Sequence, residues 1–157
     1  MGAFSGMSAA VPTQGGLYFE VGNHVVKVNR IKYSQSDLNQ KEWYIVETVI
    51  LQSDTMQVGC EPSWLIEVPG KYPALSLGNI KGFLLAAFGS YAKINGTEPP
   101  TPSDIGEAET KWSFSEENPL AGVVVTAKAF NKKTREGNDF TRIKWGLPEN
   151  VEGYVEQ

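Results

Sequence analysis

Period-two patterning runs along most of this chain and is interrupted by a single stretch of period 3.6, an order that leaves few architectures open. Tyr18 to Tyr33 (YFEVGNHVVKVNRIKY) is dense in β-branched and aromatic residues and predicts a long first strand, bent at Gly22-Asn23. Turn chemistry follows from Ser34 to Gln40, then a second strand over Lys41 to Leu51. Cys60 to Val68 predicts a shorter third strand, with Pro62 near its start, where a missing amide donor is tolerated. From Ser76 to Tyr91 the period changes: Ile80, Phe83, Leu84, Ala87, Phe88 and Tyr91 recur at helical spacing and predict one amphipathic helix despite Gly82. Ala121 to Phe130 and Asp139 to Trp145, joined by the turn NKKTREGN (Asn131 to Asn138), predict a closing hairpin. Between helix and hairpin, Lys93 to Asn118 is rich in proline and acid, and reads as an exposed acidic excursion with a short helix near Asp104 to Thr110.

Strand, strand, strand, helix, strand, strand is how a mainly β OB-fold is threaded: a five-stranded barrel with its helix between strands three and four. A small β-sandwich would use the same strands but gives the helix no assigned place. With 157 residues, 41% hydrophobic and 11% aromatic, the chain suits one core rather than two marginal ones. The expected organisation is a flexible arm over residues 1–15, an OB domain over 16–147 that contains the excursion 93–118, and a short acidic tail over 148–157.

Composition removes several function classes. One cysteine (Cys60) excludes an internal disulfide, and with one histidine (His24) there is no Cys/His zinc set. A reducing, cytoplasmic compartment is expected, since the N-terminus has no basic start and no apolar run of about 20 residues occurs anywhere. No phosphate-binding glycine loop is present, His24 and Cys60 show no nucleophile-base spacing, and the acids that would hold magnesium in a nuclease concentrate in the excursion. No enzyme, metal or cofactor is therefore expected.

Charge is segregated. Lys128 to Lys144 holds six basic residues against two acids, net +4, within a chain of net −4, so the remainder carries −8. Lys27, Arg30 and Lys32 add to this from the first strand, a neighbour of the fourth in an OB barrel, so the two basic clusters are expected to meet. Alternation puts Val123, Val125, Ala127 and Ala129 on the core side of the fourth strand, with Lys128 and Phe130 opposite; on the fifth, Phe140, Arg142 and Lys144 share a side. A cationic groove with stacking rings is what single-stranded nucleic acid requires. The candidate contacts are therefore Lys27, Arg30, Lys32, Lys128, Lys132, Lys133, Arg135, Arg142 and Lys144 for phosphates. Tyr33, Trp43, Tyr44, Phe130 and Phe140 are the candidates for bases, with Trp64 and Trp145 assigned to the core.

The segments GNHVVKV (Gly22 to Val28), LGNIKGFLLAAFG (Leu77 to Gly89), NPLAG (Asn118 to Gly122) and KKTREGNDFT (Lys132 to Thr141) resemble a group of small bacteriophage replication-module proteins regarded as OB-fold single-stranded-DNA-binding proteins. The resemblance implies binding without catalysis, in the host cytoplasm, during DNA replication or recombination, with the basic turn at Lys132, Lys133 and Arg135 holding the strand. It also implies recruitment of replication proteins through an acidic tail, here the short ENVEGYVEQ. The alternative is a structural or protein-interaction OB domain, a virion or complex subunit whose basic face meets an acidic partner.

Overall fold

A computed structural model describes residues 18–35, 41–68, 73–133 and 139–148, with the backbone alone at 133, 139 and 140. The predicted arm, the first turn beyond Gln35, the hairpin turn 134–138 and the tail beyond Pro148 lie outside the described residues. The elements are β1 (Gly22–Gln35), β2 (Glu42–Ser53), β3 (Ser63–Val68), α1 (Pro73–Asn95), α2 (Glu107–Ser113), β4 (Val124–Lys133) and β5 (Asp139–Gly146), with a 3₁₀ turn at Pro102–Asp104. The strands form one sheet in the order β3-β2-β1-β4-β5, every neighbouring pair antiparallel.

β1 is central and irregular. Its register with β2 shifts between Val25 and Val26, and again between Val28 and Arg30. At the second shift Asn29 is the extra residue of a bulge, so Asn29 and Arg30 are both exposed between buried Val28 and Ile31. The bend expected at Gly22 takes a different form: Gly22 stands at φ 146°, and a Cβ there would come within 2.7 Å of the Thr55 hydroxyl and closer still to the Asp54 carboxylate.

The inner face of the sheet alternates as its strands predict. Val26, Val28 and Ile31 of β1, Tyr44, Val46 and Ile50 of β2, and Val125, Ala127 and Ala129 of β4 are buried in one cluster. α1 lays Ile80, Phe83, Leu84 and Ala87 into that cluster and packs against β3, β4 and β5. The edge strands converge over it: the Trp64 and Trp145 rings lie 5.2 Å apart, and Phe83 stands 5.7 Å from Trp64 and 4.9 Å from Trp145. The sheet thus curls around α1, while β3 and β5 meet through side chains and form no strand pairing among the described residues.

The segment expected to be an exposed acidic excursion is exposed over most of its residues, its acids among them, but it is anchored to the sheet and α1 at a few positions. Trp112 of α2 stacks on Phe88 of α1 with centroids 5.8 Å apart, and Phe114 stacks on Tyr33 at 5.0 Å. The Tyr44 hydroxyl bonds the buried Ser113 hydroxyl at 2.7 Å. Asn118 closes the segment: its Oδ1 accepts from the Ile31 amide at 2.9 Å and its Nδ2 donates to the Ile31 carbonyl at 2.7 Å. β4 stops serving β1 just before this point, with Val28 bonding the Val123 carbonyl and the Gly122 amide. One side-chain amide thereby continues the ladder, in a left-handed conformation (φ 46°) that asparagine tolerates better than most residues.

Asn118→Ala is expected to lower stability by about 2 kcal/mol, because both Ile31 backbone groups lose a partner in a shielded position. Asn118→Gly should be destabilised too, although it relieves the positive φ. Thermal unfolding measures both, and a wild-type melting temperature for either would contradict the role given to the amide.

Candidate nucleic-acid interface

The register assembles the candidate cations row by row on the outer face. Asn23, Lys128 and Lys144 lie directly opposite one another across β1, β4 and β5. Val25, Thr126 and Gly146 form the row on one side of them; on the other, Phe130 stands opposite Arg142, and Lys132 opposite Phe140. Rows two residues apart on one face are separated by about 6.8 Å along the strands. Lys128, Lys132 and Lys144 are exposed, and Lys27, Phe130 and Arg142 half-buried. Arg142 donates to Asn79 Oδ1 of α1 at 3.1 Å. None of these five cations forms an ion pair among the described residues. A cleft of about 550 Å³ opens where Lys128 and Lys144 meet the turn after β2.

The two basic clusters do not merge as expected. β1 and β4 are antiparallel, so the β4 cations lie beside the start of β1, while Arg30 and Lys32 lie toward its end. Lys32 is nine residues beyond Asn23, the partner of Lys128, or about 30 Å of strand. Lys32 is also paired with Glu47 at 3.2 Å. Arg30 faces a separate cleft of about 560 Å³, with Tyr33, Phe114 and Asn118 in its lining.

The aromatic candidates divide in the same way. Tyr44 is no surface ring: it is 1% exposed, on the core side of β2, and bonded to Ser113. Its register partner Tyr33 shares that inner side at the rim of the sheet, where one face is taken by Phe114. Trp43 and Phe130 are half-buried on the outer face. Trp64, at 3% exposure, is in the core cluster and Trp145 packs against it, as expected, although the Trp145 Nε1 is buried with no hydrogen-bond partner among the described residues. Arg135 and the side chains of Lys133 and Phe140 lie outside the described residues.

Of the remaining reactive groups, His24 is tied into the turn after β2. His24 is 2% exposed, and its Nε2 faces the Glu20 carbonyl at 2.7 Å, so Nε2 carries the proton and Nδ1 accepts from the Ser53 hydroxyl at 2.7 Å. Ser53 Oγ in turn accepts the Thr55 and Met56 amides at 3.0 and 2.8 Å. The oxygen's lone pairs are therefore committed to a turn, and the pair braces the β2 exit next to the cleft. Cys60 is half-buried and free. No group of three or more His, Cys, Asp or Glu able to hold a metal occurs among the described residues. No described helix is long and apolar enough to cross a membrane.

Asn23, Gln52 and Thr126, which line the cleft beside the lysines, were not candidates from sequence. Only the strand register brings them together. A scan against protein-family models finds no match, and no significantly similar curated protein is found.

Ser53→Ala should cost about 1–2 kcal/mol by unbracing the turn and stripping His24 Nδ1 of its donor, read from denaturant unfolding. Burial, with the Glu42 carboxylate adding to it, pushes the Tyr33 phenol up to about 12, and burial does the same for Tyr18. Phenols that ionise later in the folded chain stabilise it fully below pH 10, and this contribution is lost as pH rises through 12. Alkaline unfolding followed by phenolate absorbance should therefore show both rings titrating late, with stability falling between pH 10 and 12.

Proposed function

We propose that this chain is a sequence-tolerant, non-catalytic single-stranded-DNA-binding protein of the OB type, acting in phage DNA replication or recombination as its resemblance implies. The observation that carries this reading is the outer face of β1, β4 and β5, where Lys128, Lys132 and Lys144 stand in the rows beside Phe130, Arg142 stands opposite it with its guanidinium bonded to Asn79, Lys27 lies three rows further along, and none forms an ion pair among the described residues. Unpaired cations around a partly accessible ring suit a ligand that supplies phosphates and stacking bases. The strand order β3-β2-β1-β4-β5, with edges converging over α1, supports the OB assignment, since it is the order of such a barrel opened between its third and fifth strands.

OB folds commonly bind oligonucleotides over strands two and three. In this chain β2 and β3 carry no cation: their Glu47 and Glu67 pair with Lys32 of β1 and with Lys41, and their outer face is otherwise largely apolar. The phosphate path is therefore assigned to β4, β5 and the first half of β1, with Trp43 the aromatic on the β2 side. The half-buried outer strip Ile45, Val49, Leu51 and Leu65 favours a second reading, a protein-interaction domain.

Fluorescence anisotropy with a labelled oligothymidine separates the two. Contacts from five cations predict that affinity falls about 100-fold between about 50 and 200 mM salt. Lys128→Ala with Lys144→Ala should flatten the salt slope by about 1.4, whereas Phe130→Ala should cost about 1–3 kcal/mol of binding with the slope unchanged. Absent or salt-insensitive binding would favour the protein-interaction reading.

A further inference from the structure

Lys128 and Lys144 are directly opposite each other on the outer face of β4 and β5, an arrangement in which like charges repel. Both line the 550 Å³ cleft, and neither has an ion-pair partner among the described residues. The carboxylate in that lining, Asp54, is held at the far side of the row: its Oδ1 accepts the Asn23 amide at 2.9 Å and its Oδ2 accepts Asn23 Nδ2 at 3.3 Å. The cleft thus combines two lysines from opposite register positions with neutral polar side chains at Asn23, Gln52 and Thr126, in a space large enough for a phosphate group. Phe130 and Arg142 occupy the next row on the same face, about 6.8 Å along the strands.

We infer that this cleft is an anion subsite that holds one phosphate group between Lys128 and Lys144. Its assignment to a nucleic-acid phosphodiester rests on the DNA-binding reading above, and the seated phosphate would bring its neighbouring base toward Phe130. The bound anion relieves the lysine repulsion, so occupancy stabilises the fold as well as fixing the position of the strand.

The test uses the full chain and two single variants, Lys128→Gln and Lys144→Gln. Thermal unfolding is compared in sodium phosphate and in sodium chloride of equal ionic strength. With inorganic phosphate tenfold above its dissociation constant, the wild-type melting temperature should rise by about 3–6 °C. Either variant should lose that increment, and in chloride should melt at or above wild type because the repulsion is gone. An equal rise in wild type and variants, the general effect of an excluded salt, would overturn the subsite. Variants that melt below wild type in chloride would overturn the repulsion on which it rests. A second arm measures oligothymidine anisotropy with phosphate replacing chloride at constant ionic strength, and competition in wild type but not in the variants is expected. Oligothymidine binding without phosphate-specific competition would sink the subsite and leave the DNA-binding reading standing. Phosphate stabilisation without oligothymidine binding would keep the subsite, assign it to free phosphate or small phosphorylated ligands, and remove the DNA-binding reading.

Discussion

β1 is the strand on which the rest of the molecule depends, because its two backbone edges must be satisfied by partners from three different parts of the chain. β2 covers one edge along nearly its whole length. β4 covers the other only from Gly22 to Lys27, and the ladder passes through Gly122 and Val123 to the side chain of Asn118. This hand-over lets β4 depart from β1 early and lead with β5 in the opposite direction, past the start of β1. It also draws residues 96–122 over the end of the sheet, where Phe114, Ser113 and Trp112 close on Tyr33, Tyr44 and Phe88. The local packing of that segment and the direction of the basic hairpin thus share one physical cause.

The outer face follows from the same geometry. The inner residues of β4 are small (Val125, Ala127, Ala129), which lets the curled sheet approach α1 and the aromatic group of Trp64, Phe83 and Trp145. Every second residue on the outside is then free to carry charge, and β4 and β5 place cations there without acids between them. A surface of this kind contributes little to folding and is mildly unfavourable on its own, since lysines stand opposite one another. The outer side of β2 and β3 differs: its Glu47 and Glu67 are ion-paired, and between them it is largely apolar.

Much of the fold was legible in sequence because it rests on periodicity. Alternation in Val123 to Ala129 identified the core side of β4, and the 3.6-residue spacing of Ile80, Phe83, Leu84 and Ala87 identified the helix, which extends a turn beyond each expected end. What escaped was set by register. The bulge at Asn29 adds one residue to β1 and reverses the parity of everything after it, and no local composition marks it. Tyr44 has the polar handle and strand setting of a surface ring, yet parity turns it inward to Ser113. The basic runs of β1 and β4 look contiguous in a neighbour diagram, but antiparallel pairing sends them to opposite ends. The excursion is largely exposed, as its charge suggests, and what its composition hid were the anchors, Trp112 and Phe114, few among many acids.

A nucleic-acid strand running over β4, β5 and the first half of β1 would be seen by NMR in the amide shifts of the labelled protein during titration with oligothymidine. Saturating shifts are expected at Asn23, Thr126, Lys128, Phe130, Arg142 and Lys144, with those of Ile45, Val49 and Leu65 unmoved. Shifts concentrated on β2 and β3, or none at all, would contradict it.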